Sequence, residues 1–414
     1  MKIALVNYRY FISGGPERYM FNIKAILEQN GHIVAPFSIK HNKNVNSEYS
    51  SYFLDAIGSG DEVYNHEYPK DLKTRIQVVG RMLYSFEAKR KFKQFLKEVQ
   101  PDIVYILHFQ NKLSCSIIDA AKEMHIPVVQ RISDFGHICP KAVLYRDTKG
   151  ICEDCLQKNL YQAVKHKCVA DSYAHSALKA FSLAIMNVNL VKDKVDAFIF
   201  PSSFTMKKYA SRGFDSKKNY HLPTFFSFDQ SPLKSQIIYG NFGLYIGRIG
   251  REKGLNTLIE AFLKTDHKLK IIGFSNDNSE EDLKIKIKGR ENQIEFLGKL
   301  DFEQISIYLK ECLFSVVPSE WYENFPNTVL ESFAFKKAVL ATNIGSLPEI
   351  VNESNGFCFD YASSDSLKEK IDYMFSNEDE AQRKGENGYN MLFEEFSAKK
   401  HYIKLNDIFN KIRC

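Results

Sequence analysis

At 414 residues the chain exceeds what one hydrophobic core usually fills, so two domains are expected. Hydrophobic residues make up 44% and charged residues 26%, a globular balance with enough apolar side chains for two packed cores. The net charge of +6 permits attraction to anionic lipids or phosphorylated ligands but argues by itself for neither membrane nor nucleic acid, and no nucleic-acid partner is expected. No apolar run of about eighteen residues occurs, and Met1-Lys2 leads straight into a strand. Neither a membrane span nor a signal peptide is therefore expected, and the chain is read as cytoplasmic. In a reducing compartment its eight cysteines are read as thiols or metal ligands rather than disulfides.

Lys2 to Tyr8 reads as a buried parallel strand, and Ser13-Gly14-Gly15-Pro16 opens a helix running to about Gln29. Gly14 and Gly15 either let a ligand approach the backbone or serve the geometry of a tight turn. Gly31 to Val34 is the second strand, which begins a Rossmann-like winding. Residues 42–73 lack periodicity. From Lys73 to Val99 basic and apolar residues alternate at near-helical spacing, which predicts a basic amphipathic helix. We read it as a solvated outer helix, with an anionic membrane surface as the alternative.

Pro101 to His108 is a strand, a helix starts at Ser114, and Pro127 to Ile132 is the next strand. Ligands sit at the carboxyl edge of such sheets, which makes His108, Arg131, Ser133 and Asp134 candidates to line a pocket, although a lone histidine is more often a packing residue. Cys152-Glu153-Asp154-Cys155 is flanked by Cys139 and Cys168, with twelve residues intervening on each side, loop lengths that suit a four-thiolate structural zinc. Four thiolates leave no open position, so such a metal would staple an insert at 139–168; incidental thiols or a redox pair at Cys152 and Cys155 are the other readings.

Val195 to Phe200 reads as the last strand of the first domain, followed by a helix at Phe204 to Ser211, and Ser227 to Asn241 as the interdomain linker. A second winding follows, with a strand at Phe242 to Ile246, a loop at Gly247 to Gly254 and a helix at Leu255 to Leu263. Lys268 to Gly273 and Ile294 to Gly298 are further strands. An apolar strand ends at Pro318, a polar and aromatic loop follows, and helical character begins near Pro326. Amides of Asn327 and Thr328 at that terminus would form an anion site. Glu323 stands in the loop before it, and Glu331 more than a turn into the helix, with seven residues between them. Ala338 to Asn343 and Pro348 to Ile350 continue the winding, and Phe396 to Ile412 has helical spacing.

The Glu323/Glu331 spacing in E-N-F-P-N-T-V-L-E resembles the E-x7-E motif of retaining glycosyltransferases of family 4. Gly-Gly-Pro-Glu at 14–17 and G-R-I-G-R-E-K-G at 247–254 are similar to two further motifs of that family. The resemblance covers nearly the whole chain and implies an α/β fold of two Rossmann-like doubly wound domains facing across a cleft (GT-B). Residues 1–230 would form the acceptor-side domain, 241–390 the nucleotide-sugar domain, and 391–414 a helix crossing back to the first domain. It implies sugar transfer from a nucleotide diphosphate sugar to a glycan or lipid-linked acceptor with retention, in bacterial-type surface polysaccharide synthesis, with peripheral contact at the inner membrane face left open.

By the same resemblance, Arg248 and Lys253 hold the diphosphate, Glu331 the ribose and Glu323 the donor sugar, while Gly14, Gly15, Asn327, Thr328 and Gly298 line the donor site. Two fixed cations and a helix terminus can stabilise a diphosphate leaving group, so no catalytic metal is expected. His108, Ser133 and Asp134 fall in the acceptor or sugar pocket; relatives often carry His-Asp where this chain has Ser133-Asp134, which shifts weight to Asp134. Similar cysteine inserts occur in a subset of the family. A nucleotide-sugar epimerase of the same architecture and a non-catalytic sugar-nucleotide binding protein remain the alternatives.

Overall fold

The structure is a computed structural model and describes residues 1–413 apart from 63–66, 70, 190, 228–237 and 276. Most of the expected linker at 227–241 therefore lies outside the described residues. The chain divides into two units: residues 1–144, 153–223 and 401–414 form the first, and residues 145–152 and 224–400 the second.

In the first unit, β1 (Lys2–Asn7), β2 (Ile33–Phe37), β3 (Ile103–His108) and β4 (Val128–Arg131) precede a short hairpin of β5 (Tyr145–Arg146) and β6 (Gly150–Ile151) that clusters with the second unit. After β7 (Ala197–Phe200) and β8 (Asn219–His221) the first sheet is complete, in the order β2-β1-β3-β4-β7-β8 and parallel throughout. Parallel strands have both faces covered, and β1, β3 and β7 are accordingly near-continuous apolar runs whose side chains are almost fully buried.

The single amphipathic helix expected from Lys73 to Val99 is two helices, Leu72–Leu83 and Phe86–Val99. Tyr84 is extended, and the Ser85 side chain accepts the Ala88 N–H at 3.1 Å, so a new N-cap interrupts a pattern whose apolar spacing runs on across the break.

The last helix, Ala398–Arg413, places His401 in the buried interior of the first unit. His401 Nδ1 lies 2.8 Å from the Pro223 carbonyl, which can only accept, so Nδ1 carries the proton. Nε2 then accepts from the Tyr19 hydroxyl at 2.9 Å, and Tyr19 pairs with the Tyr105 hydroxyl at 2.9 Å. Burial, reinforced by the positive charge of Arg131, pushes His401 down to about 3 and keeps it neutral.

In the second unit, β9 (Phe242–Ile246), β10 (Lys268–Ile272), β11 (Ile294–Gly298), β12 (Phe314–Val317), β13 (Ala338–Thr342) and β14 (Gly356–Phe359) form a parallel sheet in the order β11-β10-β9-β12-β13-β14. One face packs on Leu255, Leu258 and Phe262, the other on Val329, Leu330 and Phe333. The chain order reverses at β9 and β12, where doubly wound sheets bind ligands beyond their carboxyl ends. The loop after β9 and the loop after β12 leave the sheet there side by side.

Candidate functional site

The loop after β9 ends in a short 3₁₀ turn, Arg251–Lys253, and then Gly254, whose φ of +70° starts the helix Leu255–Leu263. A Cβ on Gly254 would lie 1.8 Å from the Pro318 carbonyl oxygen, so only glycine lets this turn press against the end of β12. The Glu320 N–H donates to the Glu252 carbonyl at 2.8 Å, and Thr257 Oγ1 donates to Glu320 Oε1 at 2.6 Å. Together these contacts clamp the two loops.

The clamp brings Lys253 to Glu323. Lys253 Nζ donates to Glu323 Oε1 at 2.7 Å, and the same oxygen accepts from Ser319 Oγ at 2.6 Å and Trp321 Nε1 at 2.8 Å. Lys253 Nζ also stands 4.7 Å from the centre of the Trp321 ring, a cation–π contact. Among the described residues all three donors meet Oε1, and none meets Oε2. Burial would raise the Glu323 carboxyl, but the Lys253 charge and hydrogen bond, with those from Ser319 and Trp321, outweigh it and hold the pKa below the usual range. Glu323 is a fixed anion with one oxygen fully engaged.

Pro326 is not a helical residue: with ψ of 113° it is the N-cap, and the helix is Asn327–Ala334. A proline has no N–H to lose in either place, and the first helical amides become those of Asn327 and Thr328, which have no acceptor inside the helix. Thr328 Oγ1 donates to the Ile246 carbonyl at 3.4 Å, tying this terminus to the end of β9. Glu331 lies on the second turn of the same helix, half-buried. Gly298 ends β11 with φ of +71°, accepts the Gly273 N–H at 2.9 Å and faces open space where a side chain would stand. Arg248 is not part of the Glu323 cluster. It is half-exposed and its guanidinium pairs with Glu252, four residues on.

In the first unit, Gly14 is the extended N-cap of the helix Gly15–Gln29, with no side-chain cap. Glu17 is buried in its first turn and accepts from Ser13 Oγ at 3.0 Å. His108 Nε2 lies 3.6 Å from Asp134 Oδ2, so these two expected residues meet; Asp134 Oδ1 accepts the Gly136 N–H at 2.7 Å. Ser133 does not join them, because its hydroxyl turns back to the Leu107 carbonyl at 3.4 Å. Arg131 stacks on the Tyr19 ring, 3.9 Å from its centre.

The four cysteines do not form the expected zinc site: among the described residues no group of three or more His, Cys, Asp or Glu side chains is arranged to hold a metal. The Cys139 N–H donates to the Phe135 carbonyl at 2.8 Å, Cys155 is buried in the four-residue helix Asp154–Gln157, and the Cys168 N–H closes a turn on Ala163 at 3.0 Å. Cys152 follows β6, whose hairpin clusters with the second unit. Burial pushes the Cys139 thiol up.

Residues 238–391 match the family model for glycosyl transferases group 1. The second unit carries a glycosyltransferase group 1 domain. Among curated proteins, an uncharacterized glycosyltransferase, MJ1178 of Methanocaldococcus jannaschii, is 34% identical over 172 residues, 40% of this chain and 47% of that one. The capsular polysaccharide biosynthesis glycosyltransferase CapM of Staphylococcus aureus is 27% identical over 195 residues, 45% and 51% of the two chains. The matched region thus spans about half the length of each. An uncharacterized 42.6 kDa protein in the cps region of Klebsiella pneumoniae is 23% identical over 368 residues, 84% of this chain and 87% of that one. Anabaena Alr3699/HepE, solved in complex with UDP, superposes with a TM-score of 0.65 over 99% of this chain and 100% of that one at 15% identity, a likeness of fold.

Spacing in the sequence assigns no role to Ser319, Trp321 or Glu252. Trp321 is the only tryptophan in the chain and stands two positions before Glu323, a signal that was available.

Proposed function

We propose that the chain is a retaining glycosyltransferase of the family-4 type that moves a sugar from a nucleotide diphosphate sugar to a glycan or lipid-linked acceptor. The observation that carries this reading is the Lys253–Glu323 pair, set by the Trp321 ring and Ser319 beside the helix terminus at Asn327. Breaking the glycosidic bond leaves charge on the diphosphate, and Lys253 with the Asn327 and Thr328 amides would receive it. Arg248, whose own side chain is half-exposed, would join them by leaving Glu252. Glu323 Oε2 would accept hydroxyls of the donor sugar while Oε1 stays with its three donors; Glu331 would take the ribose hydroxyls. Attack by an acceptor hydroxyl on the face of the departing diphosphate, which takes the proton, needs no protein nucleophile.

HepE binds UDP and CapM acts in capsular polysaccharide synthesis, and both support a nucleotide-linked donor and a surface-polysaccharide product for this chain. No catalytic metal is assigned, because the cations and amides answer the diphosphate charge. A screen of nucleotide sugars, read by released nucleoside diphosphate and by the anomeric configuration of the product, tests the reading. Transfer with inversion would overturn retention. Release of nucleotide without any acceptor would favour the epimerase, and binding without turnover the silent module.

A further inference from the structure

The first unit contains a cavity of about 300 Å³ built between the cysteine insert and the helix Tyr173–Val188. Lys141 and Lys179 line it with the amides Gln110 and Asn111, and Leu183 and Met186 form an apolar wall. No carboxylate lines it among the described residues. Three of its lining residues, Asn111, Ala142 and Ala170, have φ of +62°, +66° and +51°. Left-handed backbone is unfavourable for alanine, so the surrounding structure holds these walls in place against local preference, as it commonly does around binding sites.

Lys179 is half-buried, and burial lowers it to about 8, with the Asp134 charge acting in the opposite sense. Asp134 is itself engaged by His108 and the Gly136 N–H. Burial lowers the half-buried Lys112 to about 7, and the charges of Arg9, Lys179 and Arg81 add to that. Lys141 and Lys179 thus line a cavity whose walls carry no carboxylate among the described residues, a lining that suits an anionic group.

We infer that this cavity binds the acceptor through a phosphoryl group at Lys179 and Lys141, with an apolar substituent of that acceptor against Leu183 and Met186. The inference rests on the transferase reading for calling the ligand an acceptor. It gives the insert a role that needs no metal: residues 140–142 and 168–170 are wall.

The test uses the full-length chain with the donor site saturated by nucleoside diphosphate, and titrates octyl phosphate, octyl glucoside and inorganic phosphate by calorimetry. Octyl phosphate should bind more tightly than the other two, and Lys179→Met and Lys141→Met should each weaken it about tenfold, the scale of one charge-assisted hydrogen bond. Equal binding by both variants, or by octyl glucoside, would overturn the anion site; inorganic phosphate binding as tightly as octyl phosphate would overturn the apolar wall. Nucleoside diphosphate affinity is read in the same experiment. Its absence with octyl phosphate binding intact would sink the donor reading alone, and the reverse pattern would sink only the cavity.

Discussion

Lys253 Nζ and Glu323 Oε1 meet at 2.7 Å although seventy positions separate them, and both side chains are largely shielded from water. Removing either charge strands the other in a site built for a pair. Lys253→Ala should therefore abolish turnover and lower stability by about 3 kcal/mol, because Glu323 would remain buried without its cation. The double variant Lys253→Met/Glu323→Gln should recover much of that stability and none of the activity. Denaturant unfolding of the two proteins checks this; equal stability of Lys253→Ala and the wild type would show that the pair does not hold the loops.

Nucleoside diphosphate should raise the melting temperature of the wild-type chain in a buffer with chelator, and Lys253→Ala should lose most of that rise. A shift that appears only with divalent metal would place the diphosphate charge on a cation the reading does not invoke.

Trp321→Phe keeps a ring for Lys253 and removes the N–H to Glu323. We expect a loss of about 1 kcal/mol in stability and a rise in the Glu323 pKa, seen as a shift of the acid limb of the pH–rate profile to higher pH. An unmoved acid limb would assign that limb to another group.

Gly254→Ala should be among the most damaging single-methyl changes in the protein. Its φ of +70° disfavours any side chain, and the new Cβ would meet the Pro318 oxygen at 1.8 Å, so either β12 or the 3₁₀ turn must move. Thermal melting should fall by several degrees and donor binding with it; Gly289→Ala, with φ of +83° but open space, is the control that carries strain without the clash.

His401 and His137 are both depressed by burial to about 3, from an ordinary value of 6.5. Below pH 6.5 the unfolded chain binds protons that the folded chain refuses, so their contribution to stability is present above that pH and lost as pH falls toward 3. Between pH 6.5 and 4.5 most carboxylates stay ionised, and the melting temperature should already decline. His401→Gln should flatten that slope whatever its effect at pH 7, and an unchanged slope would remove His401 from the account.

The repeated order of strand, glycine loop and helix, the helix start near Asn327 and the spacing of Glu323 and Glu331 were all legible in the sequence, because each depends on residues within a few turns of one another. Parallel strands buried on both faces leave apolar runs, and special backbone at Gly254 leaves a glycine. Tertiary structure alone decided the rest. The even spacing of the four cysteines does not by itself make a metal site: among the described residues no group of three or more ligating side chains is arranged to hold an ion. An apolar pattern that runs on through Ser85 cannot reveal the cap that breaks the helix there. Which oxygen of Glu323 is engaged, and that Lys179 lines a cavity without acids among the described residues, follow from packing between distant segments. Those segments touch only once the sheets have formed, and the burial that gives these charges their properties exists only then.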